Sequence, residues 1–111
     1  MKLRIYRQTI RLRLSGQELE ELAQTGTLED SCLIPQSESF QSFSYCLVRG
    51  DGRSASHLRI EPFRWVFSLN PTDSDLLQLS HQEGVEIHQQ GTIGEGAIGH
   101  LKILIEKDRF G

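Results

Sequence analysis

The chain predicts an α+β fold, mainly antiparallel β, with about eight strands and two short helices. Three observations carry that expectation. The opening stretch Lys2 to Ser15 alternates apolar and cationic residues, with a break at Arg7-Gln8. A second alternating stretch, Ala55 to Leu69, is broken at Pro62. Each stretch runs straight into a helix-start signal, Ser15-Gly16-Gln17-Glu18 and Asn70-Pro71-Thr72-Asp73. A strand turns successive side chains to opposite faces, so alternation of this kind marks a ribbon with one dry face and one wet face. Strands this short and numerous pack as a curled sheet, a sandwich or a small barrel.

The length of 111 residues predicts one domain. A chain of that size buries roughly two-thirds of its unfolded surface, enough for one core without staples. The net charge of −3 argues against general nucleic-acid binding, which calls for a basic excess. No apolar run approaches membrane-spanning length, and the N-terminus alternates where a secretory signal would be uniformly apolar. A cytoplasmic address is therefore expected, with no membrane partner. Cys32 and Cys46 lie in apolar runs and are expected to be buried free thiols. They fall on consecutive strands, which permits a disulfide without implying one. No CxxC supports redox or zinc chemistry.

The elements follow in order. With Arg7 and Gln8 at the first turn, Ile5 faces Ile10, Leu3 faces Leu12, Arg4 faces Arg11 and Lys2 faces Arg13. Like charges opposed in this way destabilise a ladder by roughly 0.2–1 kcal/mol per pair. Such a face calls for carboxylates from a third strand, or for an anionic partner, unless the four side chains simply splay into water. Ser15 and Glu18 form a capping box for a helix from about Gly16 to Gln24, and Gly26 stops it. Thr27 to Ile34 reads as a strand ended by Pro35. Gln36 to Gln41 reads as a serine-rich loop and Ser42 to Arg49 as the next strand. In the second hairpin, Pro62 fits the second position of a turn beginning at Glu61. That register sets Leu58, Ile60, Trp65 and Phe67 on one core-facing side, with His57, Arg59 and Glu61 on the other. Asn70 or Thr72 caps a second helix, Pro71 to about His81. Val85 to Gln89 is a strand, Gly91 to Gly99 a glycine-rich loop, and His100 to Lys107 the last strand. Leu104 makes the outer side of that strand partly apolar, as in a central strand or one that meets a partner. No internal repeat is visible.

Met1-Lys2-Leu3-Arg4-Ile5, Ile10-Arg11-Leu12-Arg13-Leu14-Ser15 and the closing Leu101-Lys102-Ile103-Leu104-Ile105-Glu106-Lys107-Asp108 together resemble a family of small, uncharacterised bacterial proteins, a domain of unknown function. The middle hairpin and the helix after Asn70 fall in the same order, so the resemblance covers the whole chain. The family carries a glycine-asparagine turn where this chain has Arg7-Gln8. It implies no mechanism, cofactor or catalytic residue.

Gly94-Glu95-Gly96-Ala97-Ile98-Gly99 matches GxGxxG. The dinucleotide fingerprint needs a helix after the glycines, and here a strand follows, so a hairpin loop is the better reading. His57, His81, His88 and His100 make no short-spaced metal pair. His57 and His88 would meet only if their strands were neighbours, with Glu61 or Glu86 completing a metal site. The remaining pattern is a polar set spread over several strands. Lys2, Arg4, Arg11, Arg13, Arg59 and Lys102 are the candidate anion- or partner-binding residues. The leading expectation is a non-enzymatic binding or interaction domain. Its partner would be a second copy, another protein or a small anionic ligand, with no cofactor. The alternative is a metal-dependent triphosphate hydrolase. In that case the sheet closes with the charged face inward, cations hold the phosphates, and Glu61 and Glu86 hold the metal.

Overall fold

A computed structural model describes residues 1–108. It has eight strands in two four-stranded sheets and two helices. The strands are β1 (Lys2–Tyr6), β2 (Thr9–Leu14), β3 (Thr27–Gln36), β4 (Ser39–Arg49), β5 (His57–Glu61), β6 (Arg64–Leu69), β7 (Gly84–Ile93) and β8 (Ala97–Lys107). Helix α1 is Gly16–Thr25 and α2 is Pro71–Gln78. One sheet has the order β1-β2-β8-β7, the other β3-β4-β6-β5. Four pairings are antiparallel hairpins, while β2 with β8 and β4 with β6 run parallel at the sheet centres. The sheets form no closed barrel, so the architecture is a sandwich-like α+β fold.

The first hairpin has the register that alternation dictates, Arg4 opposite Arg11 and Lys2 opposite Arg13. Its aliphatic side goes inward. Ile10, Leu12 and Leu14 join Leu28, Leu47, Phe67, Ile103 and Ile105 in one buried cluster between the sheets. Leu22 of α1 and Leu77 of α2 complete it. Ser15 accepts from the Glu18 N–H while Glu18 accepts from the Ser15 N–H, so the capping box is complete. Gly26 ends α1 at φ +77°, a left-handed cap that glycine adopts without a Cβ penalty. Asn70 caps α2, which stops at Gln78 rather than His81.

Several expectations are corrected. The serine-rich and glycine-rich loops are mostly strand. β3 continues through Pro35 to Gln36 and β4 starts at Ser39, while β7 runs to Ile93 and β8 starts at Ala97. Pro35 is tolerated because β3 is an edge strand, where a missing N–H costs no ladder bond on the free side. β4 meets β6 only from Ser44 onward and β8 meets β2 only from Lys102 onward. The outer halves of β3–β4 and β7–β8 therefore extend past their sheets as two-stranded arms. Ile60 is exposed, as is Ile5, because both sit next to the turns, beyond the packed interior. Cys32 is exposed on the first arm, Cys46 is buried, and both thiols are free.

The chain is also internally repeated. β1-β2-α1-β3-β4 and β5-β6-α2-β7-β8 are the same five elements in the same order, and each sheet combines one half's first hairpin with the other half's second. Leu3-Arg4-Ile5 recurs as Leu58-Arg59-Ile60, and the caps Ser15 and Asn70 correspond. The two helices touch, with Gln78 Nε2 donating to the Leu19 carbonyl.

Candidate functional site

The outer face of the β1-β2-β8-β7 sheet carries the cations. Cross-strand register arranges them in three rows: Lys2, Arg13 and Glu106; Arg4, Arg11, Leu104 and Glu86; Tyr6, Thr9, Lys102 and His88. Five of the candidate anion-binding residues, Lys2, Arg4, Arg11, Arg13 and Lys102, are thus on one surface. Arg59 is not with them. It lies on β5 in the other sheet, 3.7 Å from Glu61.

Arg4, Arg11 and Lys102 border a hollow of about 280 Å³, together with Tyr6, Thr9 and Leu104. The hollow exists because Thr9 and Leu104 are shorter than the long side chains around them. Leu104 gives it an apolar floor, which is what the apolar outer side of the last strand amounts to. Glu106, from the third strand, supplies the carboxylate that the opposed arginines call for. Its Oε1 lies 2.8 Å from Arg11 Nε. The buried Arg11 N–H is not aligned on that oxygen and makes no hydrogen bond, so this is a charge contact only. Lys2 is held by Asp108 at 2.8 Å. Lys102 is 3.9 Å from Glu86, which also contacts His88 Nε2 at 2.8 Å. The hydrogen bond from His88 holds the Glu86 carboxyl below its usual range. Among the described residues Arg4 and Arg13 have no ion-pair partner.

The residues proposed for metal do not assemble. Glu86 and His88 are on β7, whereas His57 and Glu61 are on β5 in the other sheet. His57 Nδ1 turns instead to the Ala55 carbonyl at 2.7 Å. Among the described residues no group of three His, Cys, Asp or Glu is placed to hold a metal ion. The charged tunnel is likewise corrected. Leu12, Phe67, Ile103 and Ile105 fill the space between the sheets, and the cations point away from it. Exchanging the two faces would bury the five cations, Arg4 and Arg13 among them without an ion-pair partner among the described residues, at several kilocalories per mole for each unpaired charge, and expose the aliphatic row.

Three features escaped the sequence. The Met1 ammonium is buried between Glu18 and Asp30, 2.8 Å from the Asp30 carboxylate. The Met1 carbonyl accepts from the Tyr45 hydroxyl at 2.9 Å. At the opposite seam, Gln89 donates to the Leu58 carbonyl and accepts from the Leu58 N–H. Only the alternation in Leu3-Arg4-Ile5 and Ile10 to Leu14 marks residues of the cationic face in advance; nothing local marks the seam contacts.

Searches of curated proteins and of solved structures give no match to the chain. A family model does match, over residues 1–110, and its description is "Family of unknown function (DUF7009)". The opening motif, the closing motif and the elements between them all fall inside that match, and the chain belongs to this family.

Proposed function

We propose that the protein is a single-domain binding module whose cationic hollow takes an anionic group of a small ligand or a protein partner. The observation that carries this reading is the convergence of Arg4, Arg11 and Lys102 on one hollow, with Arg4 paired to no carboxylate among the described residues. Guanidinium groups hold phosphate or carboxylate bidentately, and two of them side by side favour a group with several acceptor oxygens. Leu104 and Tyr6 add apolar contact beside the charge. A cytoplasmic, bacterial setting belongs to the same reading. The free thiol of exposed Cys32 supports a reducing compartment, and the two terminal motifs support the origin.

Pyrophosphate is a suitable probe. Titrated into the labelled protein, it should shift the amide signals of Arg4, Arg11 and Lys102. The double substitution Arg4→Gln, Arg11→Gln should weaken binding at least tenfold, each lost charge-assisted bond being worth about 1.5–3 kcal/mol. Salt should weaken binding too, since the groups are partly exposed. Shifts confined to other parts of the chain, or an unchanged affinity in the double variant, would reject the hollow as the site.

A further inference from the structure

The cationic hollow is larger than an inorganic anion needs. Its 280 Å³ is the share of about nine waters, and one phosphate group fills a small part of that. The volume lies just under the lower bound of about 300 Å³ for sites that take organic ligands. Half of the lining is uncharged. Tyr6, Thr9 and Leu104 set a ring, a hydroxyl and an aliphatic floor beside the three cations.

Tyr6 is out of keeping with its surroundings. Among the described residues it is the only Phe, Tyr or Trp on the outer face of the β1-β2-β8-β7 sheet. The side chain is 64% exposed and has no part in the core. Its cross-strand partner, Thr9, is too short to cover it. The Arg7 guanidinium lies 5.3 Å from the ring centroid. It takes one of the two ring faces and leaves the second for another planar group. An exposed ring beside a cluster of cations is how proteins stack a base while holding its phosphate.

Spacing narrows the ligand further. Arg4 faces Arg11 across β1 and β2, and Tyr6 with Thr9 forms the next row on the same face. Rows two residues apart along a strand are separated by roughly 7 Å. A phosphate held between the two guanidiniums therefore has its ring about that far away. An aryl phosphate, with one oxygen between ring and phosphorus, is too short for this. A ring joined to its phosphate through a sugar spans the gap and brings the sugar hydroxyls beside Thr9.

We infer, on the reading of the hollow as an anion site, that its ligand is a free nucleotide, with the base stacked on Tyr6 and the phosphate between Arg4 and Arg11. A single nucleotide fits better than a nucleic-acid strand. Strand binders repeat such rings along a basic groove, whereas this face has one ring and the chain has a net charge of −3.

Adenosine monophosphate and ribose 5-phosphate differ by the base and so separate the two halves of the ligand. Each is titrated into the labelled full chain. The nucleotide should bind at least fivefold more tightly, since one stacked base is worth roughly five- to hundredfold. It should move the Tyr6 ring protons upfield and shift the amides of Arg4 and Arg11. Tyr6→Leu should bring the ratio of the two affinities close to one, and Tyr6→Phe, which keeps the ring, should preserve it. Neither variant empties the core, because Tyr6 is exposed. Equal affinities in the unaltered protein overturn the nucleotide. If pyrophosphate still shifts the hollow in that case, the anion site stands without it; if pyrophosphate does not, both readings fall. A ratio that survives Tyr6→Leu also overturns the nucleotide. So does tighter binding of O-phosphotyrosine, which assigns the hollow to a modified protein side chain, or an affinity that climbs with oligonucleotide length, which assigns it to a nucleic-acid strand.

Discussion

Arg7 shows how a single residue strains against an otherwise favourable ribbon. It sits at φ +53° at the first position of the two-residue turn between β1 and β2. L-residues other than Gly, Asn and Asp adopt that region at a cost of about 1–2 kcal/mol. The Arg7 guanidinium lies over the Tyr6 ring at 5.3 Å, which recovers part of that cost. Arg7→Gly should therefore stabilise the protein by about 0.5–1 kcal/mol in a urea melt, the gain from removing the Cβ exceeding the loss of an exposed cation–π contact. A drop in stability would show that the Tyr6 contact dominates the turn. At this scale the sequence is highly legible. Alternation alone places Arg4, Arg11, Arg13 and Lys2 on one side and Ile10, Leu12 and Leu14 on the other. What it does not convey is which cation keeps a carboxylate. That depends on the β8 register, set by a parallel contact ninety residues away in sequence.

At the scale of elements, the open question in any two-sheet fold is what joins the sheet edges. Here the joints are side chains. The Gln89 carboxamide reaches from β7 to β5 and makes both bonds that a neighbouring strand would have made to Leu58, at 2.8 and 3.0 Å. Its counterpart in the other half of the chain is the β3 stretch around Asp30 and Cys32, where the joint is the Met1 ammonium instead. Gln89→Leu keeps the bulk and removes both bonds, leaving a part-buried N–H and C=O unsatisfied. The cost should be about 1–3 kcal/mol, with faster hydrogen exchange at the Leu58 amide. Unchanged exchange there would mean that water already serves the edge. The element boundaries were least legible at β3–β4 and β7–β8. Serine, glycine and proline suggest loops when read locally, but a long hairpin supplies its own ladder, and the ladder overrides the local preference. The same reading concealed the arms and with them Leu33 and Phe40, the two most exposed large apolar residues among the described ones.

The whole molecule is two copies of a five-element unit exchanging hairpins, and the halves use equivalent positions in different ways. Glu18 at the third position of α1 accepts from the Met1 ammonium, while Asp73 at the third position of α2 accepts from the Ser56 hydroxyl at 2.5 Å. The repeat was invisible in the sequence because only Leu-Arg-Ile and the cap positions persist; the rest is conserved as pattern, which any hairpin shares. The ion pair at the Met1 joint gives the first half a pH dependence at that position. Burial works against the charged Met1 amine, but its hydrogen bonds to Asp30 and Glu18 outweigh that and raise its pKa above the ordinary 8.0. Burial also works against ionised Glu18, yet the bonds from the Met1 amine and the Ser15 N–H hold its pKa below the ordinary 4.5. A raised amine stabilises the fold fully below its unfolded value and loses that contribution as pH climbs through the folded one. A lowered carboxyl stabilises fully above its unfolded value and loses the contribution as pH falls through the folded one. Thermal stability should therefore be flat between about pH 4.5 and 8.0 and fall on either side, through the same contact. Glu18→Gln keeps the cap, because glutamine also serves at the third helical position. It should lower the plateau and flatten both flanks, the acid one more. Flanks of unchanged steepness in that variant would assign the pH dependence to other groups and leave the Met1 joint without energetic weight.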